Sequence, residues 1–391
     1  MKSRPPLEMI AGAPSWRLAN ETVEAFVTEQ GGHLAPVTFR TGAGSVQPFA
    51  IAPWAKETLD PQTPPLLRTL RGDFFCAPFG GNAQPWRKEQ HPPHGETASA
   101  RWRLRGRQET AADQTILEAE LTLRVRPGRV VKTIELRQGE TNVYCRHRLE
   151  GMSGPMCLGH HALVHFPAGA GAGRVSVSPF RFGQVCPQRF EDPAQGGYSC
   201  LRTGALFRDL ARVPLAGGGE ADLTRYPARE GFEDLVMISS RARRGVAWTT
   251  VAYPEQGYVW FALKDPAVLA STVLWHSNGG RHYPPWNGRH RRVLGLEEVT
   301  SYFHFGLAES VAANPVSDRG IPTSLRLRRN RPLVVNVIMG VVPIPAGFDR
   351  VRTIEFTPEH MVLQAESGVA VAHAVDAGFV GNGVPVRRGS A

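Results

Sequence analysis

Four segments of the chain combine residue types that can transfer protons or bind polar ligands. They are RGDFFCAPFGGN at 71–82, HPPHGETASARW at 91–102, GHHALVHF at 159–166 and VLGLEEVTSYF at 293–303, the last preceded by WHSNGGRHYPPWNGR at 275–289. Histidine and carboxylate side chains are common general acids and bases. Each segment taken alone also has a structural interpretation, as a turn, a solvated histidine or a core residue, so it marks a site only in combination with the others.

The third segment carries adjacent histidines whose side chains cannot share a face of a strand. Successive strand residues point to opposite faces, so His161 and His165 lie on one face and His160 on the other, with Ala162 and Val164. A strand histidine is more often held by hydrogen bonds in the core than used in catalysis. The pattern leaves open which of His160 and His161 faces a ligand.

Strand-like segments dominate the elements that must position these residues. Alternating or apolar runs bounded by glycine and proline predict strands at 22–28, 115–125, 129–138, 141–149, 159–166, 234–239, 245–252, 257–263, 293–305, 333–343 and 360–373. Pro127 and Gly128 predict a hairpin turn, and GALFRDLAR at 204–212 predicts one short helix. This spacing predicts an all-β fold, a large antiparallel β-sandwich.

The domain organisation follows from the same pattern. A polar stretch rich in proline and glycine at 308–322 is a weak boundary, but the strands after it are too few for a core of their own. We therefore expect residues 1–391 to form a single β-sandwich domain. Its core would cover about 20–305, and the C-terminal strands of 320–391 would dock onto that core.

Composition restricts the partners. The formal net charge is +10, but the arginines are scattered and are not interleaved with stacking aromatics. This favours a solvated basic surface over nucleic acid, with an anionic substrate as the remaining alternative. No run of eighteen apolar residues and no apolar leader occur, so we expect no membrane partner and a cytoplasmic location. Five cysteines without a C-x-x-C pair indicate reduced thiols.

In this order the segments resemble the aldose 1-epimerase (galactose mutarotase-like) superfamily, and their motifs are closest to glucose-6-phosphate 1-epimerase-like members. The matches to the R-G-G-x-P…P-x-F-G and H-G-F-A-R…W stretches are Arg71, Gly72, Pro78, Phe79 and Gly80, then His94, Gly95, Arg101 and Trp102. One departure is Gly-Glu-Thr after His94 in place of Gly-Phe-Ala. The resemblance covers roughly residues 20–305 and implies the supersandwich fold of that superfamily.

The resemblance also implies roles for individual residues. The G-L-E strand places the catalytic base at Glu297, and the G-x-H-x-x-F strand places the acid at His161, with His160 as the competing register. His94 would stabilise the ring oxygen or hold the sugar. The residues expected to bind substrate are Arg71, Asp234 (chosen over Glu233 in GFEDLVMI), Asn82, His160 and Trp275. Trp86, Trp102 and Trp286 are further aromatic candidates, with core packing as the alternative.

Three functional hypotheses follow. The first is an isomerase that interconverts sugar anomers by general acid/base ring opening, acting on a monosaccharide or sugar phosphate without a cofactor. The second is a non-catalytic sugar-binding protein on the same fold. The third is a metal-dependent enzyme, suggested by His91 and His94 and by the adjacent His160 and His161. It ranks last because no carboxylate stands at ligand spacing, and we expect no metal. The oligomeric state stays open.

Overall fold

The structure, a computed structural model, describes residues 6–42, 44–110 and 114–381. Its strands are β1 (Glu8–Ile10), β2 (Ala13–Ala19), β3 (Val23–Thr28), β4 (Leu34–Thr41), β5 (Gly44–Val46), β6 (Phe75–Cys76), β7 (Arg103–Thr110), β8 (Gln114–Leu123), β9 (Gly128–Arg137), β10 (Asn142–Glu150), β11 (Gly154–Met156), β12 (Leu158–His160), β13 (Ala162–His165), β14 (Gly173–Val177), β15 (Phe180–Val185), β16 (Leu206–Phe207), β17 (Val213–Pro214), β18 (Glu220–Ala221), β19 (Arg225–Tyr226), β20 (Glu233–Ser240), β21 (Ala247–Tyr253), β22 (Tyr258–Lys264), β23 (Ser271–Ser277), β24 (Val293–Thr300), β25 (Leu325–Leu327), β26 (Leu333–Pro343), β27 (Val351–Phe356), β28 (His360–Ala365) and β29 (Ala370–Ala374). The α-helices are α1 (Pro65–Arg68) and α2 (Leu307–Val311). Short 3₁₀ helices lie at Glu96–Ala98, Pro193–Gln195, Pro254–Gln256, Ser317–Arg319 and Ala377–Gly381.

Two large antiparallel sheets form the body of the molecule. One has nine strands in the order β19-β14-β21-β22-β26-β10-β9-β8-β7, and the other has eight in the order β16-β15-β20-β23-β24-β12-β6, with β13 also paired to β24. A five-stranded sheet, β1 to β5, precedes them, and β27 to β29 form a three-stranded sheet near the C-terminus. The predicted all-β class and antiparallel sandwich are therefore confirmed.

The β8–β9 hairpin shows how alternation in the sequence becomes a buried face. Leu123 pairs with Gly128 at the turn, where the sequence predicted it. Leu117, Ala119 and Leu121 are buried between the sheets, while the residues between them are more exposed or charged. Burying one apolar face per strand is what fixes the register, because a shift of one residue would turn this face to solvent.

The eight-stranded sheet has two buried faces of different character. Even-numbered residues of β24, such as Leu294 and Leu296, join the main core against the nine-stranded sheet. Odd-numbered residues, such as Val293 and Val299, belong to a second cluster that contains the loop residues before β6, Trp54 among them. Loops thus cover the outer face of this sheet, and the candidate site lies under them.

The segment after the 308–322 stretch contributes to two sheets. β26 lies inside the nine-stranded sheet, between β22 and β10. The three-stranded sheet packs through Val351, Met361 and Leu363 against Val259 and Phe261 of β22. The division of the whole chain into domains stays a prediction.

The predicted helix at 204–212 is wrong. Leu206 and Phe207 instead form β16 at the edge of the eight-stranded sheet, paired with Gln184 and Gly183. Gly183 lets the Phe207 ring approach, since a Cβ at 183 would lie 2.2 Å from that ring. Burial of one aromatic ring against a strand thus outweighed the helical spacing of the segment. No helix within the described ranges has the length and apolar character needed to cross a membrane.

Candidate functional site

His161, the single residue between β12 and β13, faces Glu297 of the neighbouring strand β24. Gly159 pairs with Val299 and Ala162 pairs with Leu296, so the same register places His161 directly across from Glu297. Both side chains point to the loop-covered face, and the distance from His161 Nε2 to Glu297 Oε1 is 3.3 Å. Their relative exposures are 4% and 2%. Strand register therefore brings a potential acid and base into contact.

His94 reaches the same place from a loop. Its ring centroid lies 5.0 Å from that of His161, and Phe74 stacks on the His161 ring at 4.5 Å. The loop turns sharply after His94, because Gly95 has a φ of 76° and a Cβ there would lie 2.3 Å from the Ala77 carbonyl oxygen. A residue other than glycine would strain this turn.

A contact with Cys76 orients the His94 ring. The distance from Cys76 Sγ to His94 Nδ1 is 3.3 Å. Burial raises the pKa of the Cys76 thiol well above its usual value, so the thiol keeps its proton and can donate to the tautomer of His94 whose Nδ1 is unprotonated, with the Phe74 carbonyl oxygen as its other acceptor at 3.9 Å. In this tautomer Nε2 of His94 carries the ring proton. That nitrogen can therefore serve as a hydrogen-bond donor in the cavity.

These residues line a cavity of about 110 Å³, which we call the acid/base cavity. Its lining residues are Leu66, Leu67, Leu70, Phe74, His94, His161, Phe190, Leu235, Trp275, Arg281, Trp286, Glu297 and His304. The polar groups thus stand within a largely apolar lining. Three leucines from α1 and the residues after it form one wall, and Trp54 Nε1 ties this segment down by donating to the Leu67 carbonyl oxygen at 2.7 Å.

Trp275 and Arg281 form another wall. The Trp275 indole Nε1 donates to Glu233 Oε2 at 2.8 Å, which fixes the ring plane. The Arg281 guanidinium lies 5.0 Å from the Trp275 ring centroid and 4.6 Å from that of Trp286. Its Nε donates to Glu191 Oε1 at 2.7 Å. Arg281 therefore supplies a fixed positive charge held between aromatic faces.

Burial shifts the titration of these groups toward their neutral forms. It raises the pKa of Glu297 well above the usual carboxyl value, although Arg281 acts in the opposite direction. It lowers the pKa of His161 well below the usual value, and that of His94 to about 3. The pKa of His304 falls to about 4, again mainly because of burial. The histidines and Glu297 in the cavity therefore favour neutral forms near pH 7.

Comparison with solved structures identifies the architecture. Neither a model of a known protein family nor a curated protein sequence matches the chain. A galactose mutarotase-like protein from Clostridium acetobutylicum superimposes with a TM-score of 0.55 at 13% identity, covering 86% of this chain and 98% of that one. The chain has the galactose mutarotase-like fold. A galactose mutarotase related enzyme from Lactobacillus acidophilus gives 0.53 at 9% identity, covering 84% and 97%. A candidate aldose 1-epimerase from Escherichia coli K12 gives 0.54 at 14%, covering 85% and 100%.

Within this fold, four of the residues expected from the sequence meet at the acid/base cavity. They are His94, His161, Trp275 and Glu297. Identities this low establish the fold and no activity, so any function must be argued from the site itself.

Arg71 and Asn82 do not line this cavity, because both are used to hold the chain. Arg71 is completely buried and donates to the carbonyl oxygens of Ile10 and Ala11, each at 2.9 Å. Asn82 Nδ2 donates to the Gly80 carbonyl oxygen at 3.0 Å, and its Oδ1 accepts from the Leu307 backbone N–H at 3.0 Å. The expectation that they reach a ligand in this cavity is therefore corrected.

His160 and Asp234 lie on the opposite face of the sheet from the cavity. His160 Nδ1 is 2.8 Å from Asp73 Oδ2, within the core between the sheets. Asp234 Oδ1 accepts the backbone N–H groups of Cys200 and Leu201, both at 3.0 Å. Strand parity therefore places His161, and neither His160 nor Asp234, on the cavity side. On β20 it turns Glu233, rather than Asp234, toward Trp275.

Sequence reasoning missed Arg281, His304 and Glu233 as parts of the site. Arg281 lies in the 275–289 segment, which was singled out only as a whole. His304 follows β24, and its Nδ1 is buried without a hydrogen-bond partner among the described residues. Glu233 is adjacent to Asp234, the residue that the resemblance favours for substrate binding. Alternation along β20 predicts that the two side chains point to opposite faces of the sheet. The sequence does not show which of these faces lines the site.

The histidine pairs that suggested a metal do not converge. His91 Nε2 bonds Glu89 Oε2 at 2.9 Å, away from the cavity that His94 lines. His160 and His161 point to opposite faces. In the part of the chain that the structure describes, no three His, Cys, Asp or Glu side chains are placed to share a metal ion.

Proposed function

We propose that this chain is an aldose 1-epimerase-like isomerase that interconverts the anomers of a monosaccharide or sugar phosphate. The observation that carries the proposal is the 3.3 Å contact of His161 and Glu297 in a cavity shared with His94. Glu297 removes the proton from the C1 hydroxyl while His161 protonates the ring oxygen, and the bond between C1 and that oxygen breaks. After rotation about C1–C2 the same two groups act in reverse to close the ring, so no cofactor is consumed.

The titration of the pair supplies the one proton that the reaction moves, and burial favours that proton on Glu297, so it must pass to His161 before ring opening. With the pKa of Glu297 raised and that of His161 lowered, the pair holds one proton across neutral pH. When that proton lies on His161, the pair consists of a carboxylate base and an imidazolium acid, the forms that ring opening requires. Arg281 favours the carboxylate form of Glu297, and His94 Nε2 can donate to the developing open-chain oxygen.

The walls of the cavity support a sugar as the ligand. A pyranose ring has an apolar C–H face that packs on aromatic rings and hydroxyl edges that need hydrogen bonds. Phe74, Trp275 and Trp286 offer aromatic surface, while Arg281 and His304 offer donors at the same cavity. We further propose a cytoplasmic location, which is supported by the five cysteines, all of them unpaired thiols.

NMR anomer exchange across common aldoses and sugar phosphates tests the proposal. Wild-type protein should accelerate exchange of at least one sugar, and Glu297→Gln and His161→Asn should each slow it by about 10²–10⁴-fold. Glu359→Gln and His360→Asn, two exposed positions on and beside β28, are matched controls that should leave the rate unchanged. A rate that survives both cavity substitutions would overturn the proposed roles.

A specific observation also supports the non-catalytic alternative. The cavity is small and rich in leucine, and Glu297 contacts His161 directly. A sugar that binds with a saturable fluorescence change while its anomers exchange at the buffer rate would establish sugar binding without catalysis.

A further inference from the structure

A second concavity, of about 610 Å³, lies on the same face of the eight-stranded sheet as the acid/base cavity. We call it the arginine cleft, and its polar lining residues are His165, Arg229, Glu230, Asn278, Arg289, His290, Arg291 and Arg292. His165 is four residues beyond His161 along the chain. At about 3.3 Å per strand residue, the Cα of His165 therefore lies roughly 13 Å from that of His161.

The arginines that line the cleft outnumber the carboxylates that pair with them. Four arginines line it against one glutamate. Arg289 pairs with Glu57 at 2.5 Å and Arg291 pairs with Glu230 at 2.9 Å. Arg292 forms no ion pair with any residue in the described ranges. One full guanidinium charge at this cleft is thus left without a carboxylate.

Arg229 forms a long ion pair with Asp234, and this contact leaves two of its buried donors without a hydrogen bond. Its Nε and Nη2 are buried and have no hydrogen-bond partner among the described residues. The carboxylate of Asp234 is 3.5 Å from Nε, but it already accepts from the backbone N–H groups of Cys200 and Leu201 and from the Cys200 thiol. Leaving buried charged donors unsatisfied is costly, so a partner at this position would be stabilising.

His290 adds a third unused group. Its Nδ1 bonds Ser277 Oγ at 2.6 Å, whereas Nε2 is buried without a partner among the described residues, and the side chain lines the cleft. Both Arg229 and Arg292 have positive φ angles, 52° and 57°, a strained backbone conformation that is common at ligand sites. Independent features of charge, burial and backbone thus coincide at one cleft.

We infer that the arginine cleft is a binding site for a phosphate group, carried by a small phosphate ester or free as inorganic phosphate. Guanidinium groups bind tetrahedral oxyanions through paired N–H donors, and a phosphate offers enough oxygens to engage Arg229 and Arg292 together. The inference does not depend on the proposed isomerase activity, because none of these residues lines the acid/base cavity.

Isothermal titration calorimetry with inorganic phosphate, at low ionic strength, tests this site. One site per chain is expected. Arg292→Gln and Arg229→Gln should each weaken binding by roughly 10–100-fold, the loss expected for a hydrogen bond to a charged group. Arg243→Gln is the matched control, since Arg243 is exposed in a different arginine-rich concavity and its loss changes the net charge equally. Thermal unfolding checks that each variant is folded.

Each outcome decides the assignment. No saturable binding, or equal weakening by Arg243→Gln and Arg292→Gln, overturns it, because the second result would mean a response to net charge alone. Tighter binding of a hexose 6-phosphate than of inorganic phosphate identifies an ester as the ligand, and equal binding identifies the free anion. Hexose phosphate binding that Glu297→Gln abolishes and Arg292→Gln spares would also overturn it. Anomer exchange should survive Arg292→Gln, which separates this site from the proposed function.

Discussion

Replacing Glu233 with glutamine should change how the stability of this protein depends on pH. The Glu233 carboxylate accepts hydrogen bonds from Trp275 Nε1 and Ser277 Oγ at 2.8 and 2.9 Å and is completely buried. Burial raises its pKa from 4.5 to about 7, although Arg281, Ser277 and Trp275 act in the opposite direction. Glutamine keeps the shape and an accepting oxygen but cannot titrate.

The sign and size of this pH dependence follow from the linkage between proton binding and folding. The native state holds the Glu233 proton more tightly than the unfolded state, so the stabilisation is fully present below about pH 4.5 and is lost as the pH rises through about 7. A shift from 4.5 to about 7, at 1.36 kcal/mol per unit, corresponds to roughly 3 kcal/mol. Wild-type protein should therefore lose about that much stability relative to Glu233→Gln between these pH values.

Urea unfolding followed by tryptophan fluorescence measures this difference. The free energies of unfolding of wild type and Glu233→Gln are compared below and above the titration range, so that all other titrating groups cancel. Glu359→Gln, at an exposed position, should show a difference that does not vary with pH. A difference that is also constant for Glu233→Gln would refute the argument, because it would show that folding does not raise the pKa of Glu233.

Three further predictions concern the cavity and the sheet beneath it. Glu297→Gln should lower the rate of anomer exchange by about 10²–10⁴-fold in NMR exchange experiments while a fluorescence titration shows sugar binding largely retained. Trp275→Phe should weaken sugar binding in the same titration and destabilise the protein by roughly 1–3 kcal/mol in urea, because Glu233 loses a buried donor. Glu298→Gln should destabilise the protein by about 3–5 kcal/mol in urea, because it leaves Lys264 as a buried charge, with the exchange rate of the folded fraction unchanged.

The fold was predictable because the signal for it is local and repeated. Each strand of a sandwich buries one face, so alternation over six to ten residues, as in β8 and β9, indicates both the element and its inward residues. The same reasoning gave a wrong prediction at 204–212, where the strand is only two residues long. It also merged β28 and β29, a hairpin over 360–373, into one run, because the turn at 366–369 interrupts the alternation only briefly.

The candidate site was only half predictable, because its walls come from segments far apart in the chain. The leucines of α1, Phe190 and Arg281 meet only after the sheets have formed. Arg71 and Asn82 were assigned to a ligand from residue type and motif order alone. A buried arginine or asparagine serves the backbone carbonyls around it equally well, and nothing in the local sequence distinguishes these uses.

Three pairs of adjacent polar residues lie in or next to strands of the eight-stranded sheet. In each pair one residue faces the acid/base cavity side and its neighbour faces the core between the sheets. The cavity-side residues are His161, Glu233 and Glu297, and their core-side neighbours are His160, Asp234 and Glu298.

The two sets differ in how they are neutralised, and this difference explains why one residue of each pair is available for chemistry. The core-side residues each have a charged partner of their own: Asp73 for His160, Arg229 for Asp234 and Lys264 for Glu298. Such pairs must be kept closed, since breaking one leaves a buried charge. On the cavity side, Glu297 and His161 contact each other at 3.3 Å, with the Arg281 charge nearby, and among the described residues neither forms another ion pair, so a ligand can take over their hydrogen bonds. Substitutions of the core-side residues should therefore lower the free energy of unfolding. Substitutions of Glu297 or His161 should lower the rate of anomer exchange. If Glu297→Gln cost as much stability as Glu298→Gln, the Glu297–His161 contact would be structural like the others and its catalytic assignment would fail.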